Sequence, residues 1–336
     1  MRRSLRFAAG ATLGVAALAA YLAYAGPHQV LDRATAVAPW AVAVVAALVV
    51  CEAVVDGVGV WASVRPLNGG ISPRRSVQFA LAGDFFDVLS PAGPVSSEPI
   101  MARFFGVETG TGYSEALGVR GVAKYVKSGA QLLVSTALVA VLLLDGVSPR
   151  YVLVTLGGAV GVLALGGVVL VGGRGPLDRA VVVLLSPVVR VISGLYREDP
   201  HGHEVVVAAV ERFWTRALAF REAPRLVALI ALGGVLEQLL TASALWVALA
   251  GTGSSVALIA LVAVIPLPQA ASVVPVPGSL GAYDVLLAGA LVVVTGVPSA
   301  SAAAAVLVVR TFGLATALGV GGLATAFLRG WTPRGG

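Results

Sequence analysis

Charge is the first thing this chain lacks. Only 12% of its 336 residues are Asp, Glu, Lys or Arg, while 58% are hydrophobic. Soluble domains carry about a quarter charged residues, so a water-soluble globule is excluded, and a mean hydropathy of +0.93 agrees. Cysteine is almost absent: Cys51 stands alone, which rules out an intrachain disulfide and a thiolate metal cluster. Histidine occurs only at His28, His201 and His203, and the His201-Gly202-His203 pair lacks acidic or cysteine company at ligand spacing. No metal and no cofactor is expected. Gly172-Gly173-Arg174-Gly175 follows an apolar run as a phosphate loop would, but no Lys-Ser/Thr follows it. With no His, Cys or tight acidic metal motif in the apolar segments, a membrane enzyme acting on polyprenyl or phospholipid substrates is disfavoured.

What is present is a series of long apolar runs. Residues 7–25, 36–63, 117–144, 151–173, 226–250 and 299–328 are each near or above the length that crosses a bilayer as helix. Shorter or broken apolar pairs lie at 76–92 with 98–107 and at 256–274 with 279–297. The expected fold is therefore an all-α polytopic membrane protein, one transmembrane domain over 1–336, with about six full crossings and two broken or re-entrant elements. Arg2-Arg3 before an apolar run and Ala23-Tyr24-Ala25 also fit a cleavable signal peptide. A retained first helix is the preferred reading in a chain with so many later spans.

The net charge of +6 is more informative in its placement than in its size. Arg2, Arg3, Arg6, Arg65, Arg74, Arg75, Arg329 and Arg334 flank the spans on one side, together with eight arginines in segment 174–225. The positive-inside rule puts both termini and that segment in the cytoplasm of a plasma-membrane protein. No nucleic-acid partner is expected. Within the segment, residues 204–222 alternate at helical spacing. Val206, Val210, Phe213 and Trp214 fall on one side and Glu211, Arg212 and Arg216 on the other. That pattern fits an amphipathic helix on the leaflet surface, with a soluble partner helix as the other reading.

The two broken pairs resemble each other. Pro91 precedes Glu98 by seven positions, and Pro277 precedes Asp284 by seven. Fourteen positions separate Gly106 from Arg120, and fourteen separate Gly296 from Arg310. Each unit reads proline, carboxylate, Gly-Val, then an arginine inside an apolar helix, over roughly 76–144 and 256–328, the second with four extra residues between carboxylate and Gly-Val. By the charge rule the first is reached from the cytoplasm and the second from outside. Paired interrupted segments of opposite orientation are the sequence mark of an inverted repeat around a midplane site.

The stretches "SPAGPVSSEPIMARFFGVETGTGYSEALG" and "PVPGSLGAYDVLLAGALVVVTGVPSASAAAAVLVVR" resemble the two Pro-Gly-rich segments of the lysylphosphatidylglycerol synthase transmembrane (flippase-like) family. The resemblance covers about residues 36 to 328. It implies a membrane region that translocates aminoacylated phospholipid, separate from the soluble domain that performs aminoacyl transfer. The last apolar run closes at 328 and the sequence at Gly336, so no transferase domain is expected here. Two departures stand out. Asp284 replaces the family's usual Glu, and Ala123-Lys124…Lys127 replaces an acidic Glu-Arg…Asp pattern, which leaves the charge preference open.

Glu98 and Asp284 are the leading site candidates, to bind a cationic headgroup or a proton, or else to form structural ion pairs with Arg103, Arg120 or Arg310. Arg120 and Arg310 would hold a lipid phosphate through arginine's planar fork. Lys124 follows one turn after Arg120 on the same face. Lys127, one turn further, is expected to snorkel to the interface. Ser97 neighbours Glu98, Asp84 caps or lines the cavity with Asp87, and Glu52 shares a face with Asp56 at i,i+4. Glu237 and Gln238 face the interior without an assigned role. Gly157 with Gly161 and Ala315 with Gly319 are close-packing pairs. The expected substrate partner is a membrane phospholipid or lipid-linked molecule, with homo-oligomerisation left open. A transporter of a small soluble anion, or a non-transporting membrane partner protein, is the alternative.

Overall fold

A computed structural model describes residues 26–90, 94–144, 156–161, 218–268 and 281–329, with isolated positions elsewhere. The first apolar run, most of 151–173, segment 174–217, His201 and His203 fall largely outside the described residues. Every regular element among the described residues is helical. In chain order they are α1 (Pro27–Thr35), α2 (Pro39–Val64), α3 (Pro73–Leu89), α4 (Pro94–Thr109) and α5 (Tyr113–Leu144). A 3-10 turn (Ala219–Glu222) then leads into α6 (Pro224–Gly251), followed by α7 (Leu258–Val264), α8 (Ala282–Thr295) and α9 (Ser299–Thr316). A π-turn (Ala317–Gly321) joins α9 to α10 (Gly322–Ala326). Among the described residues, four helical stretches are long and apolar enough to cross a membrane: α2, α5, α6 and α9 continued through α10.

Local chemistry sets these boundaries. Proline opens α1, α2, α3, α4 and α6, where its missing N–H is unneeded and its fixed φ suits the first turn. Ser72 caps α3 by accepting from the Arg75 amide at 3.4 Å. Gly296 ends α8 at φ 70°, the left-handed conformation that glycine adopts without a side-chain penalty. The expected interruption in the first unit occurs between α3 and α4: Ser90 is extended, and a new helix starts at Pro94. Pro99 does not break the chain again, for α4 runs through it.

α3 and α4 form an antiparallel hairpin. Arg75, near the start of α3, meets Glu108 near the end of α4, and Asp87 near the end of α3 meets Ser97 near the start of α4. α6 packs antiparallel to α2, with Gly233 against the backbone of Gly59 and Gly251 against Ala41. At Gly251 an added Cβ would come within 2.8 Å of the Ala41 Cβ, so the approach depends on glycine. Gly234 meets the Lys127 stem on α5 in the same way, at 2.7 Å. The long helices thereby share one end, where Asn68 reaches across to the Thr109 carbonyl at 3.0 Å.

Two apolar clusters fill the bundle. One lies toward the Asn68 end and includes Val60, Val64, Leu67, Phe79, Phe105, Val119, Ile230 and Ala324. The other lies toward the opposite end and includes Val45, Val49, Val139, Leu245, Leu249, Leu261 and Val306. Between them, on each long helix, the sequence places charge. Glu52 and Asp56 sit between Val49 and Val60, Lys124 and Lys127 between Ala123 and Val139, Glu237 between Ile230 and Ala242, and Arg310 between Val306 and Ala324. The bundle is thus an apolar layer, a charged layer and a second apolar layer.

Candidate functional site

The charged layer surrounds a cavity of about 570 Å³. Six carboxylates line it, from Glu52, Asp56, Asp84, Asp87, Glu98 and Glu237, against four cations, from Arg120, Lys124, Lys127 and Arg310. Its depth follows from helix geometry. At 1.5 Å per residue, Asp56, Glu98, Asp84, Arg120, Glu237 and Lys127 stand about 10–21 Å along their helices from the Asn68 end. The charged groups therefore stand part-way along the bundle, away from its Asn68 end, on or beside helices long enough to cross a membrane. Isolated charges are costly there, and their pairing accounts for most of them.

The first constellation joins α4 to α5. Arg120 donates from Nε and Nη2 to the two Glu98 oxygens at 3.0 and 2.8 Å, a two-toothed pairing. Lys124 reaches the same carboxylate at 3.2 Å, and Arg120 Nη1 also donates to Ser63 Oγ at 3.4 Å. The Arg120 guanidinium lies 5.2 Å from the centre of the Phe105 ring. Ser97, two residues before Pro99 in the first turns of α4, donates to Asp87 on α3.

A second constellation ties three helices. Lys127 on α5 donates to Asp56 on α2 at 2.7 Å and pairs with Glu237 on α6. The expected snorkelling of Lys127 is therefore corrected: its stem runs past Gly234 and its ammonium turns into the bundle, where two carboxylates replace its hydration. Glu52, one turn from Asp56, accepts from Thr241 at 3.2 Å. Among the described residues neither Glu52 nor Asp84 forms an ion pair.

In the second unit, Arg310 Nε on α9 approaches Asp284 Oδ1 on α8 at 2.8 Å. The N–H is not aimed at that oxygen, so the contact is a charge pairing rather than an aligned hydrogen bond. Asp284 Oδ2 accepts from the Gly281 amide at 3.0 Å and so caps α8. Arg310 also lies 5.0 Å from the Tyr283 ring centre. Arg310 lines the cavity and Asp284 stands behind it.

Of the sequence candidates, Glu52, Asp84, Ser97, Glu98, Arg120, Lys124 and Arg310 share the cavity wall, and Asp284 supports it. Arg103 does not join them: it is exposed on α4, away from the cavity. Two residues outside those candidates prove central: Lys127, expected at the interface, and Glu237, left without a role. Gln238 is structural. It is buried and donates to Ser135 at 2.8 Å and to the Val262 carbonyl at 2.7 Å. The described residues hold no group of three or more His, Cys, Asp or Glu arranged to bind a metal ion.

Comparison with known proteins adds the family. Residues 9–321 match the lysylphosphatidylglycerol synthase TM region. No curated protein and no solved structure matches the chain. The match spans far more than half of the sequence and includes both broken units, and on that ground the protein belongs to the lysylphosphatidylglycerol synthase TM-region family.

Proposed function

We propose that the protein moves the polar headgroup of a lipid, or of a lipid-linked molecule, across the bilayer through the midplane cavity. The observation that carries this reading is the charged layer closed between two apolar layers. A headgroup must leave water to cross, and a cavity lined by fixed charges replaces its hydration at the depth where hydrocarbon offers none. The cavity volume of about 570 Å³ falls in the range of roughly 300–1,000 Å³ typical of small-molecule sites. Carboxylates outnumber cations on its wall, which favours a headgroup bearing positive charge. Arg120 and Arg310, assigned above to a lipid phosphate, are already engaged by Glu98 and Asp284 and act first as counterions. Both termini cytoplasmic in a plasma membrane, with α3 and α4 dipping back from the cytoplasmic face, is the topology that accompanies this reading.

A transporter of a small soluble anion is the second reading. The exposure of Lys124, whose side chain is 37% accessible and makes a single ion-pair contact, is the feature that favours it.

The test is reconstitution into liposomes containing headgroup-labelled phospholipids, with dithionite quenching of the outer leaflet. Wild type is expected to expose inner-leaflet label, and Glu98→Gln to slow that exposure at least tenfold while remaining folded. Label that never moves, with or without an ion gradient, rejects lipid translocation. Uptake of phosphate or sulfate by the same vesicles would then support the second reading.

A further inference from the structure

We infer that the stacked Phe79–Phe105 pair is the gate between the cavity and the Asn68 end, held shut from both sides by ion pairs. The inference concerns how that end opens, and it rests on the proposed transport only for its purpose.

Five groups form an unbroken column through the apolar layer on that side. The Arg75 guanidinium lies 6.0 Å from the Phe79 ring centre, and Phe79 stacks on Phe105 at 4.5 Å. Phe105 lies 5.2 Å under Arg120, which is bound two-toothed by Glu98. The two rings belong to the two legs of the α3–α4 hairpin and are 1% and 0% exposed. Their contact fills the space between the two legs at this level with apolar surface.

The legs are locked at the outer end as well. Arg75 donates from Nε and Nη2 to Glu108 at 2.8 and 3.2 Å, closing the mouth of the hairpin. Its Nη1 also reaches the Phe327 carbonyl at 3.3 Å, and Gln78 donates to the Ala324 carbonyl at 2.9 Å. α3 is thereby tied both to α4 and to the end of the last helix. Parting α3 from α4 at this end breaks the Arg75–Glu108 pair and unstacks the rings together. The inner bracket differs in kind, because Glu98 faces the cavity and is available to an occupant. A cation that draws Glu98 away loosens Arg120, and Arg120 is what seats Phe105. The column thus gives cavity occupancy a physical route to the gate, through one hairpin rather than through the whole bundle.

The experiment reads the opening directly, without any lipid. Ser128, on the cavity wall, is replaced by Cys in a Cys51→Ser background, because the native thiol is exposed. The rate of labelling by a charged thiol reagent is then followed on protein in nanodiscs. Glu108→Gln should raise the rate several-fold and Phe105→Ala at least tenfold, whereas Arg103→Gln on the same helix should leave it unchanged. Exchanging the charges, Arg75→Glu with Glu108→Arg, should bring the rate back toward wild type. The inference is overturned if the Ser128→Cys, Cys51→Ser protein without further changes, the wild type of this comparison, already labels at the rate of an unfolded control. It is equally overturned if Glu108→Gln, shown by size exclusion to be folded, labels as slowly as wild type. Faster labelling without any lipid movement would keep the gate and reject lipid transport; lipid movement with labelling unchanged by Glu108→Gln would do the reverse.

Discussion

The two carboxylate–arginine pairs occur in similarly ordered units, 22 positions apart for Glu98 and Arg120 and 26 for Asp284 and Arg310, and end in different roles. Glu98 is gripped at both oxygens by Arg120, shares a third contact with Lys124, and faces the cavity. Asp284 gives one oxygen to a charge contact with Arg310 and the other to the amide that opens α8. It is 9% exposed and lies behind the cavity wall. One pair is therefore placed to exchange its partner for a ligand, and the other to fix a helix start beside the site. A like order of carboxylate and arginine accompanies a pair in each unit. What surrounds the pair decides what it does.

That contrast breaks most visibly at Asp284. Asp284→Ala removes the counterion of Arg310 and the cap of α8 together. Breaking a buried pair from one side costs about 3–5 kcal/mol, and loss of a cap adds about 1 kcal/mol. Denaturation of the purified protein should show a loss of that size. Asp284→Glu keeps the charge on a side chain one methylene longer, and it should recover most of the stability.

Next in size is Lys127→Met, which leaves Asp56 and Glu237 facing each other across α2 and α6 without their shared cation. Destabilisation should again reach about 3–5 kcal/mol, and the double variant with Glu237→Gln should lose less than the sum of the two singles, because the three groups form one network. A sum that is merely additive would separate Lys127 from Glu237.

Glu98→Gln sharpens the comparison from the functional side. The amide still accepts from Arg120, so stability should fall less than in Asp284→Ala, while lipid movement falls at least tenfold. Arg103→Ala is the smallest effect. The residue is exposed on the same helix as Glu98, and its loss should stay within about 0.5 kcal/mol, as for ordinary surface positions, with transport unchanged.

Much of the site could be read from the sequence because its members repeat at helical spacing. Arg120, Lys124, Lys127 and Gln131 fall on one stripe of α5, and Glu52 with Asp56 on one stripe of α2. The two pairs were legible from their order, each unit placing a carboxylate seven positions after a proline and an arginine fourteen positions after the glycine of Gly-Val. What the sequence does not carry is the partner across helices. Lys127 meets Asp56 and Glu237 from elements far apart in the chain, and no local pattern distinguishes that from snorkelling. Only the close approach at Gly234 turns the stem inward. Arg103 failed as a candidate by helical phase: five residues after Glu98 is about 140° around the helix at 3.6 residues per turn. The fold was legible in its long runs and in the prolines that interrupt 76–107, while the Arg75–Glu108 contact that joins the ends of α3 and α4 was not.

The most direct test of the account compares Glu98→Gln and Asp284→Asn in one preparation, measuring lipid translocation and unfolding side by side. The account predicts that Glu98→Gln loses transport out of proportion to stability, and that Asp284→Asn loses stability at least in proportion to transport. If Glu98→Gln moves lipid at the wild-type rate, the cavity is not the path and the central claim fails.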